Sequence, residues 1–184
     1  MTGILVLAGL ALFLCVYACY NPWNLHDGVL FGAPYGRDFV NFWIGGHLAV
    51  TGLLPTLFDL PQYNALIAAI FSHAPNDFFI FSYPPHSLLL LAPLALLPYS
   101  VALALWTGLN LAALAATTRL ILAGRGWIGP AVVTCLSPAA LTMVLYGHFG
   151  GLIALAIATI LIMAESRPIL ALSLIHISEP TRPY

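Results

Sequence analysis

"VALALWTGLNLAALAATTRLIL", residues 101–122, carries no charged side chain before Arg119. A helix needs about 20 consecutive apolar residues to cross the hydrocarbon core of a bilayer, and this run supplies them. We read a membrane-spanning helix over Val101–Leu122. Toward the N-terminus the absence of charge continues back to Phe78, with a break at Pro98-Tyr99-Ser100. The segment before the break, "HSLLLLAPLALLP" (86–98), is short for a full crossing and contains Pro93, which leaves both a span over 78–98 and a re-entrant or half-buried hairpin open. Toward the C-terminus two further spans are expected, about Ile128–Tyr146 and Phe149–Ala164, separated by "GHFGG" (147–151). Residues 2–20, "TGILVLAGLALFLCVYACY", have no basic leader and no small-x-small cleavage site, so they read as a retained first helix rather than a cleaved signal. The expected fold class is an all-α polytopic membrane protein with four to five transmembrane helices.

Composition agrees: 61% of residues are hydrophobic, 6% are charged, and the five basic residues are all arginine. Such a chain cannot close a water-soluble surface. A net charge of −1 with no basic patch excludes nucleic acid as a partner. Cys15, Cys19 and Cys135 all sit inside apolar runs without metal-type pairing and read as small packing residues.

Residues 21–85 differ in kind, with Asp27, Arg37, Asp38, Asp59 and Asp77 punctuated by prolines. We read an extramembrane loop. Within it Asp38–Thr51 is expected to be helical, with Asp38 at the start and Gly52 just past the end, and Pro61–Ser72 to form a second short helix. Both are aromatic enough to lie in the membrane interface. Arg119, Arg125 and Arg167 flank helix ends and should face the cytoplasm, which puts the 21–85 loop and "GHFGG" on the outer face.

After Ala171 the apolar pattern gives way to "LSLIHISEPTRPY" (172–184). This tail resembles a translated sequencing adapter and is set apart from fold reasoning. The expectation is that residues 1–171 are the N-terminal part of one membrane domain, with further helices missing and activity absent from the piece alone.

Phosphate-binding signatures are absent: there is no D-x-D pair and no G-x-x-x-x-G-K-[ST] loop. The histidines at 26, 47, 73, 86 and 148 lack metal-ligand spacing, so no metal and no cofactor is expected. What remains is a carboxylate, an arginine, and a few hydrogen-bonding aromatic, amide and imidazole groups.

Four blocks in order carry a resemblance: "GRDFVNFWIGGHLAVTG" (36–52), "LFDLPQYN" (57–64), "FSYPPHSLLLLAPLALLPYSVALALW" (81–106) and "LYGHFGGLIAL" (145–155). Together they resemble glycosyltransferase family 87, bacterial membrane enzymes of the C-type glycosyltransferase class that are similar to polyprenyl-phosphate-mannose-dependent α-mannosyltransferases. The resemblance implies a partial C-type fold in the bacterial inner membrane. It implies hexose transfer, mannose first among hexoses, from a polyprenyl-phosphate-linked sugar donor to a lipid or glycan acceptor of the cell envelope, with inversion. It also implies an acidic general base in the first outer loop, which maps to Asp38. Family members often carry Gly-Gln where this chain has Gly147-His148.

The reading of each residue has a plain alternative. Asp38 is the base of the implied chemistry, or an ordinary helix cap. Arg37 is a partner for the donor phosphate, or a side chain snorkelling to headgroups. Asn41, one helical turn from Asp38, is a contact for a sugar hydroxyl or a solvated interface residue. Tyr83 and His86 in "SYPPH" are pocket-lining groups or interfacial ones held by the prolines. His148, at the entry to a helix, is a phosphate or sugar contact or a capping histidine. The competing function class is a non-enzymatic transporter or lipid-linked-sugar flippase. Such proteins place polar groups near the midplane in repeated halves, whereas here they gather in one loop.

Overall fold

The computed structural model describes residues 29–30, 33–34, 36–71, 78–122, 126–166 and 169. The span expected over residues 2–20, along with Arg125, Arg167 and the 172–184 tail, lies outside them. Apart from a two-residue antiparallel ladder between β1 (Val29–Leu30) and β2 (Ala33–Pro34), the described elements are helical.

At the centre is α1 (Arg37–Val50), which starts one residue earlier than expected and ends one residue earlier. Gly36 occupies the N-cap position in the left-handed region, with φ 69°. At the other end the Thr51 hydroxyl donates to the His47 carbonyl at 2.8 Å, and Gly52 follows with φ 75°. A helix apolar on most of its circumference must be covered on most sides, and α1 carries two cores. On one side Val40, Ile44 and Leu48 pack with Leu57, Tyr63 and Ile67. On the other, Phe39 and Phe42 pack with Leu91, Ala102, Leu103 and Trp106. Each fully buried side chain of this size contributes about 1.5–3 kcal/mol, so α1 joins the loop helices to the apolar helices.

The loop side is built from a 3-10 turn (Leu54–Phe58) and α2 (Leu60–Ile70). The Asp59 side chain caps α2 by accepting from the Gln62 amide at 3.1 Å, and Pro61 occupies the first turn, where its missing N–H costs nothing. Asn64 then fixes the return of the chain. Its Oδ1 accepts from the Phe79 amide at 2.8 Å and its Nδ2 donates to the Phe79 carbonyl at 3.0 Å.

The apolar side begins with α3 (Ser87–Ala95), nine residues long. At 1.5 Å per residue it spans about 14 Å, under half of a bilayer core, as the half-buried reading of residues 86–97 expects. Its backbone meets that of α1 closely: a Cβ at Gly46 would lie 2.6 Å from the Leu91 carbonyl oxygen. The lack of a side chain at Gly46 is what permits this approach.

Next comes α4 (Tyr99–Leu122), 24 residues, which among the described residues is the one helix long and apolar enough to cross a membrane by itself. The single span expected over Ile128–Tyr146 is instead two helices, α5 (Ile128–Cys135) and α6 (Pro138–Tyr146), bent by 63° at their junction. The cause is local. The Ser137 hydroxyl accepts from the Ala140 amide at 3.1 Å as a helix cap, and Pro138 opens a new helix it could not have continued. Finally α7 (Gly150–Ser166) packs along α4. Leu89, Leu90, Leu96, Ile121, Ile128 and Leu161 are each more than two-thirds exposed.

Candidate active site around Asp38

Asp38 is the second residue of α1, in the turn where unpaired backbone N–H groups favour a negative charge. The N-cap position belongs to Gly36. What brings a partner to Asp38 is the turn between α6 and α7. The Gly36 amide donates to the Leu145 carbonyl at 3.3 Å, tying the start of α1 to the end of α6. Gly147 then turns with φ 70°, and a Cβ there would sit 2.6 Å from Cβ of Phe39. Only glycine allows both the conformation and the contact.

Two residues of α4 brace this turn. The Trp106 indole N–H donates to the Gly147 carbonyl at 2.9 Å. One turn on, the fully buried Asn110 donates to the Trp106 carbonyl at 3.0 Å and accepts from the Leu152 amide at 3.3 Å, satisfying one of the unpaired donors at the start of α7. At Gly151 the two helices meet so closely that a Cβ would collide with the Asn110 backbone. Held in this way, His148 places Nδ1 2.6 Å from Asp38 Oδ2.

Arg37 Nη1 lies 3.7 Å from the other carboxylate oxygen, Oδ1, and its guanidinium sits over the Phe79 ring at 5.4 Å. The Arg37 and Asp38 side chains are 38% and 23% exposed, so this is a partly solvated pair whose Coulomb term is modest. Phe42, Tyr83 and Phe149 form an aromatic cluster alongside, with Tyr83 4.4 Å from Phe42 and 5.8 Å from Phe149 between ring centroids. Burial pushes the Tyr83 phenol above its ordinary range, and the Asp38 carboxylate raises it further. A neutral hydroxyl beside a carboxylate results.

The structure therefore brings Arg37, Asp38, Tyr83 and His148 to one place. Asn41 is buried, and its Oδ1 accepts from the Tyr63 hydroxyl at 2.9 Å. Burial first, and Tyr83 second, raise the Tyr63 phenol. His86 is exposed at the N-cap position of α3 and makes no capping bond. Sequence reasoning missed Trp106, Asn110 and Tyr63. Asn110 carried a usable signal, because an amide in an apolar span is expensive unless it has a task. Among the described residues no group of three or more His, Cys, Asp or Glu side chains converges as metal ligands do. At the far end of α1 lies an apolar groove of about 560 Å³ between Val50, Leu54, Leu88, Leu89, Pro93 and Leu96.

A carboxylate held by an imidazole N–H, beside aromatic walls and partly open to its surroundings, is equipped to take a proton from an incoming hydroxyl. No curated protein and no solved structure matches the chain. Residues 81–176 match Glycosyltransferase family 87. That stretch begins after α1 and contains Tyr83, the Trp106–Asn110 brace and the His148 turn. Since the match covers just over half of the sequence, the chain belongs to glycosyltransferase family 87, and the reaction class to be explained is sugar transfer to an acceptor.

Proposed function

We propose that this glycosyltransferase is a multi-pass enzyme of the bacterial inner membrane. It transfers a hexose, with mannose the first candidate, from a polyprenyl-phosphate-linked donor to a lipid or glycan acceptor on the outer face. The observation that carries the reading is the placement of Asp38: a carboxylate in the first turn of a buried helix, contacted by His148 and flanked by Arg37 and Tyr83. The exposed leucines and isoleucines of α3, α4, α5 and α7 support a lipid environment. Arg119 in the last turn of α4 supports an orientation with that end toward the cytoplasm.

In this mechanism the acceptor oxygen bonds to the anomeric carbon as the bond from that carbon to the phosphate oxygen breaks. The phosphate leaves with the electron pair, and Asp38 takes the acceptor's proton. A single displacement of this kind inverts the anomeric configuration. Arg37 stands where it can meet the negative charge that develops on the departing phosphate. The same geometry without reaction would serve a flippase.

The test uses membranes expressing the full open reading frame that carries this sequence, supplied with a radiolabelled polyprenyl-phosphate hexose or the matching nucleotide sugar. Transfer from the lipid-linked donor alone, giving a product of opposite anomeric configuration, is the expected result. Transfer from the nucleotide sugar, retention, or translocation of intact donor without transfer would each overturn the reading.

A further inference from the structure

His148 approaches Asp38 from a turn that is built as a rigid mount. Trp106 and Asn110, both buried, fix the turn at Gly147 and at Leu152, and Gly147 and Gly151 let it press against α1 and α4. A contact with a carboxylate oxygen at 2.6 Å requires Nδ1 to carry the proton. The remaining nitrogen, Nε2, belongs to a side chain that is 44% exposed. Asp38 itself has a weakness as a base: the terminal torsion of aspartate is broad and roughly two-fold, so an unheld carboxylate samples orientations that point neither oxygen at an acceptor. Arg37 does not supply the constraint, since 3.7 Å to Oδ1 is beyond hydrogen-bond reach. Around the imidazole, the Tyr146 ring lies 5.7 Å away, and Tyr83 faces Asp38 from the 78–86 segment.

We propose that His148 is a positioning residue for the base. Its Nδ1–H holds Oδ2 of Asp38 and fixes the carboxylate so that Oδ1 takes the proton of the acceptor hydroxyl. This replaces the substrate-contact role that the sequence suggested for His148, and it rests on the base role proposed for Asp38. Orienting partners one step removed from the reacting group typically contribute 10–100-fold where they have been removed from metal sites, and a similar loss is the scale to expect.

The experiment compares His148→Ala, His148→Asn and Asp38→Asn, with the double variant Asp38→Asn/His148→Ala, in the full open reading frame with a polyprenyl-phosphate hexose donor. Asparagine matters because its amide N–H₂ sits close to where Nδ1–H of histidine sits, yet it has nothing at the Nε2 position. His148→Ala should lower kcat by about 10–100-fold with donor KM changed less than about twofold. His148→Asn should recover about tenfold over alanine. In the Asp38→Asn background, His148→Ala should have no further effect, because His148 acts through that carboxylate.

An unchanged kcat in His148→Ala, or a loss in KM alone, overturns the proposal. So does a loss of about 10–100-fold in His148→Asn relative to the unsubstituted enzyme, which would make the imidazole itself a reacting group; this arm stands even if the alanine variant fails to fold. The base reading fails separately: full activity in Asp38→Asn removes both, whereas an inactive Asp38→Asn beside a fully active His148→Ala removes only the positioning role.

Discussion

The two ends of α1, a helix of 14 residues, are physically opposite. At the N-terminal end Asp38 meets His148 and Arg37, and the surrounding backbone is tied by bonds from Gly36, Trp106 and Asn110 to distant segments. At the C-terminal end Val50 and Leu54 border an apolar groove against α3, and the bonds are local ones such as Thr51 to His47. One helix thus joins a place where direction matters to a place where only burial matters. The lesson is that mutations at the first end should change rate as well as stability, while mutations at the second should change stability alone.

The largest stability effect is expected at the second end. Leu48 is 1% exposed, and Leu48→Ala should cost about 2–5 kcal/mol. Thermal unfolding in detergent should move accordingly, while kcat per folded molecule stays within about twofold. A rate loss matching that of a His148 variant would erase the contrast between the ends.

Trp106→Phe probes the first end from a distance. It keeps the ring in its core and leaves the Gly147 carbonyl without its donor, at about 1–3 kcal/mol. Here kcat should fall too, because the turn that carries His148 loosens. A pure stability effect would mean that the brace does not reach Asp38.

The smallest effect lies between the ends, at the buried Tyr63–Asn41 pair. The Tyr63 phenol is raised above its ordinary value of 10 in the folded state, by burial first and by Tyr83 second. A group shifted in this direction contributes stability that is fully present below the unfolded value and is lost as pH rises through the folded one. Unfolding temperature should therefore drop as pH passes about 10. Tyr63→Phe should shrink that drop, leaving the part due to Tyr83, which is raised in the same sense. An alkaline profile identical to that of the unsubstituted protein would show that Tyr63 is not buried as a neutral phenol.

How far the sequence carried each region follows the same division. The bounds of α1 and of α4 were legible to within two residues, because Gly52, Pro98 and the length of uncharged sequence are local signals. The 63° bend between α5 and α6 was not. Hydropathy is blind to direction, although Ser137-Pro138 was a cap-and-proline signal inside the apolar run. Arg37, Asp38, Tyr83 and His148 stood out as polar groups in an apolar chain. Their meeting did not, since it depends on Trp106 and Asn110 anchoring a turn to α1 across more than a hundred residues of sequence. Asn41 illustrates the converse. One helical turn from Asp38, it was a plausible sugar contact by spacing, and only packing reveals Tyr63 on its carbonyl oxygen.

The central claim is that Asp38 accepts the proton of the acceptor. Asp38→Asn keeps the shape of the side chain and the helix start, and leaves an oxygen for His148 to donate to. Sugar transfer by this variant should be measured from a polyprenyl-phosphate hexose, with donor binding and unfolding temperature recorded on the same preparation. Removing a positioned general base typically costs on the order of 10²–10⁴ in rate. The account predicts a loss of that size with donor binding and stability near those of the unsubstituted enzyme. Near-normal transfer by Asp38→Asn would contradict it and move the base elsewhere.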